Sequence, residues 1–159
     1  MYFGCSIGLC PVCRYVHVGG NINSLPAFGF TDISYSLNEV SPPSVSFKYK
    51  KDCNIKEKQW PERFGFEEIR FKRYLPNDKD EFKEHVDVGD YNSARRFLVF
   101  FLYLNNNFDG RTSFSEYDMQ VYPKAGRLLM FPPTWTYLHA GFKPKLEPKY
   151  IIGSYLHYV

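Results

Sequence analysis

No apolar stretch in this sequence is long enough to span a membrane. A spanning helix needs about 20 consecutive apolar residues, and the longest run, Phe97 to Leu104, suits a buried strand instead. The start of the chain also lacks a basic segment followed by an apolar one, so no secretory signal and no membrane partner are expected. The expected setting is cytoplasmic. Nor is there a block of like charge: 20 basic and 17 acidic residues leave a formal charge of +3, so nucleic-acid binding is not implied. Cysteine is sparse, with Cys5, Cys10, Cys13 and Cys53 only. Cys10-x-x-Cys13 followed by His17 has zinc-like spacing, but the second ligand pair of a structural zinc site is missing. Reduced thiols near the N-terminus are the simpler expectation, and a disulfide is not expected in a reducing compartment.

Aromatic residues, by contrast, are plentiful. They make up 19% of the chain, with 15 Phe and 13 Tyr, and they favour pleated, half-buried surfaces. At 159 residues the chain is expected to form one domain with a sizeable core. Residues 1 to about 43 are rich in Gly, Ser, Asn and Pro, and read as loops with short extended pieces. Val45 to Lys50 alternates apolar and polar residues, which predicts a half-buried strand. The polar stretch from Asp52 to Arg63 allows a single helical turn at most.

From residue 66 the texture changes to short strands separated by turn residues. Strands are expected at Glu67–Leu75, with Ile69 and Phe71 on one face, and around His85–Asp87. Others are expected at Phe97–Leu104, Thr112–Phe114, Asp118–Tyr122, Arg127–Phe131, Tyr137–Ala140 and Tyr150–Tyr158. Phe97–Leu104 is apolar on both faces and should lie centrally in a sheet covered on each side. Eight such strands without a good amphipathic helix between them point to a double-sheet jelly roll or a small barrel. The expected organisation is a loop-rich N-terminal extension over residues 1–65, packed on a β core over residues 66–159.

Within that pattern Glu84-His85-Val86-Asp87-Val88 stands out. A histidine and a carboxylate two positions apart share one face of a strand. His139, on the seventh strand by this count, can join them if the second and seventh strands lie side by side. Two histidines and one carboxylate occupy one face of an octahedral metal and leave the opposite face open, as non-haem Fe(II) oxygen chemistry requires.

The residue order then resembles the Fe(II)- and 2-oxoglutarate-dependent dioxygenases, in particular their prolyl 4-hydroxylase-like branch with its small phage and viral members. The matching string is Arg73-Tyr74-Leu75-Pro76, His85-x-Asp87, Arg96-Phe97-Leu98-Val99 and Tyr103-Leu104-Asn105. It continues through Gly110-Arg111-Thr112-x-Phe114, Val121-Tyr122-Pro123-Lys124-Ala125-Gly126-Arg127, Phe131-Pro132, Trp135 to Gly141, and Lys149-Tyr150-Ile151-Ile152. Asp109-Gly110-Arg111-Thr112 stands where the family often has Gly-Gly-Glu-Thr, and residues 1–65 show no buttressing helices in the sequence.

The resemblance implies a mainly β fold, a double-stranded β-helix (jelly roll, cupin-like) with an irregular N-terminal segment. It implies that His85, Asp87 and His139 hold Fe(II). Lys149 would pair with the far carboxylate of 2-oxoglutarate, with Lys143 and Lys145 as competing assignments. Tyr74 would donate a hydrogen bond to that cosubstrate, and Thr112 and Tyr103 would line its pocket. Trp135 is expected to pack over the barrel rim, and His17 and His157 to be structural or solvent-facing. The implied reaction hydroxylates an unactivated C–H bond, with a peptidyl proline or another peptide side chain as the favoured substrate. It consumes O2, decarboxylates 2-oxoglutarate to succinate, and has ascorbate as a candidate auxiliary reductant. The alternatives are a catalytically inactive jelly-roll binding module, or a dioxygenase acting on a small molecule or nucleic acid.

Overall fold

The computed structural model of the protein describes residues 14–17, 46 and 49–159. Ten strands are described: β1 (Arg14–His17), β2 (Phe64–Phe66), β3 (Arg70–Tyr74), β4 (Phe82–His85) and β5 (Arg96–Tyr103), then β6 (Thr112–Phe114), β7 (Met119–Val121), β8 (Arg127–Phe131), β9 (His139–Gly141) and β10 (Lys149–Tyr158). They form two antiparallel sheets. The larger runs β1-β8-β5-β10-β2, with β3 also pairing to β10, and the smaller runs β4-β9-β6-β7. This is the mainly β jelly roll that the strand pattern and the resemblance imply. No helix among the described residues is long and apolar enough to cross a membrane.

The apolar run of β5 sits in the middle of the larger sheet, between β8 and β10. Its alternate residues serve two different cores, as the period of two requires. Val99, Phe101 and Tyr103 face a cluster built from both sheets, which includes Phe114, Val121, Phe131, Tyr137 and Ile151. Leu98, Phe100 and Leu102 face the outer side, where Tyr49, Cys53, Ile55 and Trp60 cover them. Trp60 meets Phe97 and Phe64 edge to face, at centroid separations of 5.3 and 6.0 Å. Such aromatic pairs add to the plain burial of area.

One expected strand is a helix. Ser46 and residues 49–52 are helical, and Cys53 N–H donates to the Tyr49 carbonyl at 3.0 Å. Tyr49 and Cys53 are four residues apart, so they share a helix face, and that face lies on the outer side of the larger sheet. The alternation from Val45 to Lys50 is too short to separate the two periods. What decides is the covering role: a segment lying across a sheet face must satisfy its backbone hydrogen bonds internally. The single turn allowed between Asp52 and Arg63 is present as a 3-10 turn, Glu57–Gln59. Cys5, Cys10 and Cys13 lie outside the described residues, as does the side chain of His17.

Leu98 is fully buried and Leu146 is largely exposed. Leu98→Ala is expected to lower unfolding free energy by about 2–5 kcal/mol in urea denaturation, and Leu146→Ala by less than about 0.5 kcal/mol.

Candidate functional site

The second and seventh strands of the series from residue 70 onward, β4 and β9, pair directly, with His85 opposite His139. Cross-strand partners share a face of the sheet, so the register alone brings the two imidazoles together at a centroid separation of 4.4 Å. Asp87 is not on a strand, contrary to expectation. β4 ends at His85, and the chain bends away, with Val88 N–H bonded to the Pro133 carbonyl at 3.0 Å. The bend still turns the carboxylate between the rings. His85 Nε2 lies 3.7 Å from Asp87 Oδ1, and His139 Nε2 lies 3.6 Å from Asp87 Oδ2. One ligand atom from each of the three residues lies within 4.8 Å of the others.

Both rings are oriented in the same way. His85 Nδ1 donates to the Lys83 carbonyl at 2.6 Å, and His139 Nδ1 donates to the Tyr137 carbonyl at 2.9 Å. A proton on each Nδ1 leaves the Nε2 lone pair facing inward, which is how metal-binding histidines are fixed. His139 is packed against Phe131 and Phe114, and burial holds its imidazole below the ordinary value. Burial pushes the Asp87 carboxyl up, but contact with His85, the charge of His139 and a bond from Tyr155 together carry it below the usual carboxylate range. Asp87 Oδ2 is buried and has no hydrogen-bond partner. A carboxylate oxygen left in that state is costly, and a divalent cation facing the two Nε2 atoms removes the cost. The donor set, two nitrogens and a carboxylate, therefore fits a non-haem Fe(II).

A cleft of about 490 Å³ opens beside the triad between the two sheets, and Tyr74, Tyr103, Thr112, Ile151 and Lys149 line it. Lys149 is only 3% exposed. Its ammonium donates to the carbonyls of Gly110 (3.0 Å) and Phe142 (3.1 Å), and it lies 4.2 Å from the centre of the Tyr74 ring. Among the described residues no carboxylate forms an ion pair with it. Burial, helped by the charge of Lys72, pulls its pKa down to about 8. Lys143 instead pairs with the exposed Asp78 at 2.6 Å, and Lys145 is exposed. Of the three lysines weighed from the sequence, only Lys149 lines the cleft. Tyr74 sits directly across the strand pair from Lys149, and burial pushes its phenol up to about 12. Tyr103 and Thr112 share a buried hydroxyl hydrogen bond of 2.8 Å. Gly110 has a steric reason to be glycine: a Cβ there would stand 2.9 Å from Lys149 Cδ and 2.9 Å from Asn107 Oδ1.

Four residues of the site were not singled out in the sequence. Tyr155 donates to Asp87 Oδ1 at 2.9 Å. Arg96 stacks on the Tyr155 ring at 4.1 Å and is held by Glu67 through two bonds, of 2.7 and 2.9 Å. Lys72 lines the cleft beside the triad. The signal for two of these was present as parity: Tyr155 lies six residues after Lys149 on one strand, and Lys72 lies two before Tyr74 on another. Even spacing places each pair on one face. Trp135 does not pack over the rim. It is 82% exposed, because residues 134–137 form a turn that points its ring at solvent. His157 lies opposite Gly65 on β10 and lines a separate surface depression.

Residues 69–157 match the sequence model of the 2OG-Fe(II) oxygenase superfamily. No curated protein matches the chain by sequence. Among solved structures, the viral collagen prolyl hydroxylase of Paramecium bursaria Chlorella virus-1, in complex with 2OG, is similar at a TM-score of 0.62 and 20% identity, over 96% of this chain and 83% of that one. A prolyl-4-hydroxylase of Pseudomonas putida gives a TM-score of 0.53 at 17% identity, over 92% and 71%. A prolyl hydroxylase of Trichoplax adhaerens, in complex with a hypoxia inducible factor oxygen degradation domain peptide fragment, gives 0.58 at 18%, over 91% and 62%. At these identities the structural likeness carries the fold.

Tyr155→Phe removes the hydroxyl bonded to Asp87 and keeps the ring under Arg96. It is expected to weaken Co(II) affinity by about tenfold or more in an anaerobic spectroscopic titration, with no loss of thermal stability beyond about 1.5 kcal/mol.

Proposed function

The chain belongs to the 2OG-Fe(II) oxygenase superfamily, and on that premise we propose that His85, Asp87 and His139 hold its Fe(II) and that Lys149 anchors its 2-oxoglutarate. The enzyme is a 2-oxoglutarate- and Fe(II)-dependent oxygenase with prolyl hydroxylase-like architecture. The observation that carries the assignment of residues is one of charge. A single cleft holds an orphaned carboxylate oxygen between two inward-facing imidazoles, and a buried ammonium without an anionic partner among the described residues. Each group is uncomfortable alone, and a metal ion and a dianionic cosubstrate satisfy both.

When bound, Fe(II) supplies the activation of O2 coupled to oxidation of the cosubstrate. The chain's own residues do the positioning. His85 and His139 present Nε2 from rings fixed by backbone carbonyls, and Asp87 supplies a negative charge held in place by Tyr155. Lys149 neutralises the far carboxylate in a charge-assisted bond, which is strong where water is excluded. Tyr74 offers its hydroxyl beside that bond, and the Tyr103–Thr112 pair closes the inner wall. The apolar rings of Phe114 and Phe131 behind His139 keep water from that side of the imidazole.

For the substrate we favour a peptidyl proline or another peptide side chain, with 2-oxoglutarate decarboxylated to succinate. Support comes from the fold shared with proteins described as prolyl hydroxylases, one of them in complex with a peptide. The test is anaerobic Fe(II) titration followed by succinate formation from 2-oxoglutarate without added substrate. The wild type is expected to bind one Fe(II) and to release succinate slowly, and His139→Ala to do neither. A wild type that neither binds iron nor turns over 2-oxoglutarate overturns the proposal.

Lys149→Met is expected to raise the apparent 2-oxoglutarate requirement by at least about tenfold. An unchanged requirement overturns the assignment of the anchor to Lys149. With Lys149 near pKa 8 in the free protein, its neutral fraction grows as pH rises through 8. Affinity for the dianion is therefore expected to fall across that window in the wild type, and this pH dependence should vanish in Lys149→Met.

A further inference from the structure

The cleft holds more positive charge than the iron and cosubstrate can use. Fe(II), Asp87, Lys149 and a dianionic 2-oxoglutarate together sum to about zero. Yet the same wall carries two further cations. β3 runs antiparallel to β10, with Tyr74 opposite Lys149, Lys72 opposite Ile151 and Arg70 opposite Gly153. Arg70, Lys72 and Tyr74 thus share the face that lines the cleft, while Phe71 points to the other side, where it packs on Tyr150. Lys72 is half-buried beside the triad, with its ammonium 5.0 Å from the centre of the Phe82 ring. Among the described residues neither Lys72 nor Arg70 forms an ion pair, and Asp87 is the only carboxylate lining the cleft.

A half-buried ammonium with no counter-ion works against stability: burial, the leading cause, lowers its pKa against the opposing pull of Asp87. Metal binding makes matters worse, because it draws on the one negative group nearby. Two cations two residues apart on one face of a strand leave it about 7 Å apart at the backbone, close enough for both long side chains to reach one carboxylate. From Lys149 outward the order along the wall is cosubstrate anchor, Lys72, then the more exposed Arg70. Exposure thus rises from Lys149 through Lys72 to Arg70, so the extra cations lie towards the solvent side of the cleft.

We propose that Lys72 and Arg70 recognise a carboxylate on the substrate, and that this oxygenase acts on peptides with an acidic residue flanking the residue to be oxidised. This rests on the reading of the site given above. It also gives a use to two cations that form no ion pair among the described residues.

The test uses four proline-containing peptides of equal length, three of them capped at both ends. One carries glutamate beside the proline, one glutamine and one lysine. The fourth is the glutamine peptide with a free C-terminal carboxylate near the proline. Each is incubated with holoenzyme, 2-oxoglutarate and O2, and the gain of one oxygen atom is followed by mass spectrometry. The glutamate peptide is expected to show a KM roughly tenfold below that of the glutamine peptide, with the lysine peptide poorest. Preference for the free C-terminal carboxylate alone also supports the cation pair and identifies a chain end as its ligand. Lys72→Met should level the glutamate and glutamine peptides, and Lys72→Glu should turn the preference towards lysine.

Equal kcat/KM for the glutamate, glutamine and free-carboxylate peptides in the wild type overturns the proposal. So does a Lys72→Met variant whose 2-oxoglutarate requirement rises while its peptide preference stays, since Lys72 would then serve the cosubstrate. If no peptide is oxidised while the wild type still converts 2-oxoglutarate to succinate, the acidic-peptide proposal fails and the oxygenase reading stands. If 2-oxoglutarate is not converted either, that reading fails first.

Discussion

The pairing of β4 with β9 is the constraint on which the rest of the site depends. Because His85 and His139 are register partners, their separation is set by backbone hydrogen bonds and not by the flexibility of two side chains. A slip of one residue would send one ring to the opposite face of the smaller sheet. The short strands themselves, four residues in β4 and three in β9, have little register preference of their own. It is supplied by their surroundings: Phe114 and Phe131 behind His139, and the bend at Asp87 that ties back to Pro133.

Around that pair the protein tolerates local electrostatic discomfort. Asp87 Oδ2 is orphaned, Lys149 is buried against two carbonyls and the Tyr74 ring, and neither it nor the half-buried Lys72 forms an ion pair among the described residues. Folded proteins rarely keep such groups unless something binds them. The surrounding aromatic core offsets the cost, with β5 feeding buried side chains to both faces of the larger sheet. The pattern is that of a rigid frame holding a few strained charges at one opening, where pKa values shift furthest.

Much of this was legible in the sequence. Seven of the eight strands expected after residue 66 have close counterparts, because short aromatic-rich runs between turn residues have few other ways to bury themselves. The expected adjacency of the second and seventh strands gives the histidine pair. Asp87 shows where pattern reading stops. His-x-Asp spacing is compatible with a strand, but the carboxylate reaches its place through a bend whose cause, the Pro133 carbonyl, is distant in sequence. Val45 to Lys50 failed for a related reason, since six residues can alternate by chance and only the sheet face they cover decides between helix and strand. Tyr155 and Lys72 were within reach of simple parity counting from Lys149 and Tyr74. A tyrosine and a lysine on strands have many ordinary uses, so parity alone does not mark them as site residues.

The place of β10 has a consequence for how the molecule is made. This strand pairs with β2, β3 and β5, and it brings Lys149 and Tyr155 to the cleft. Its partners begin some 50 to 90 residues earlier in the chain, so the pairing closes large loops and is slow. A nascent chain on the ribosome has both histidines and Asp87 in hand by residue 139, yet neither the lysine nor the tyrosine that complete the cleft. Until residue 155 has emerged, β3 lacks its described strand partner or part of it, and the Asp87 carboxylate lacks the tyrosine that steadies it. The order of synthesis thus separates the histidine–aspartate triad from the lysine and tyrosine beside it, and the cleft is completed only when the last strand has joined its partners.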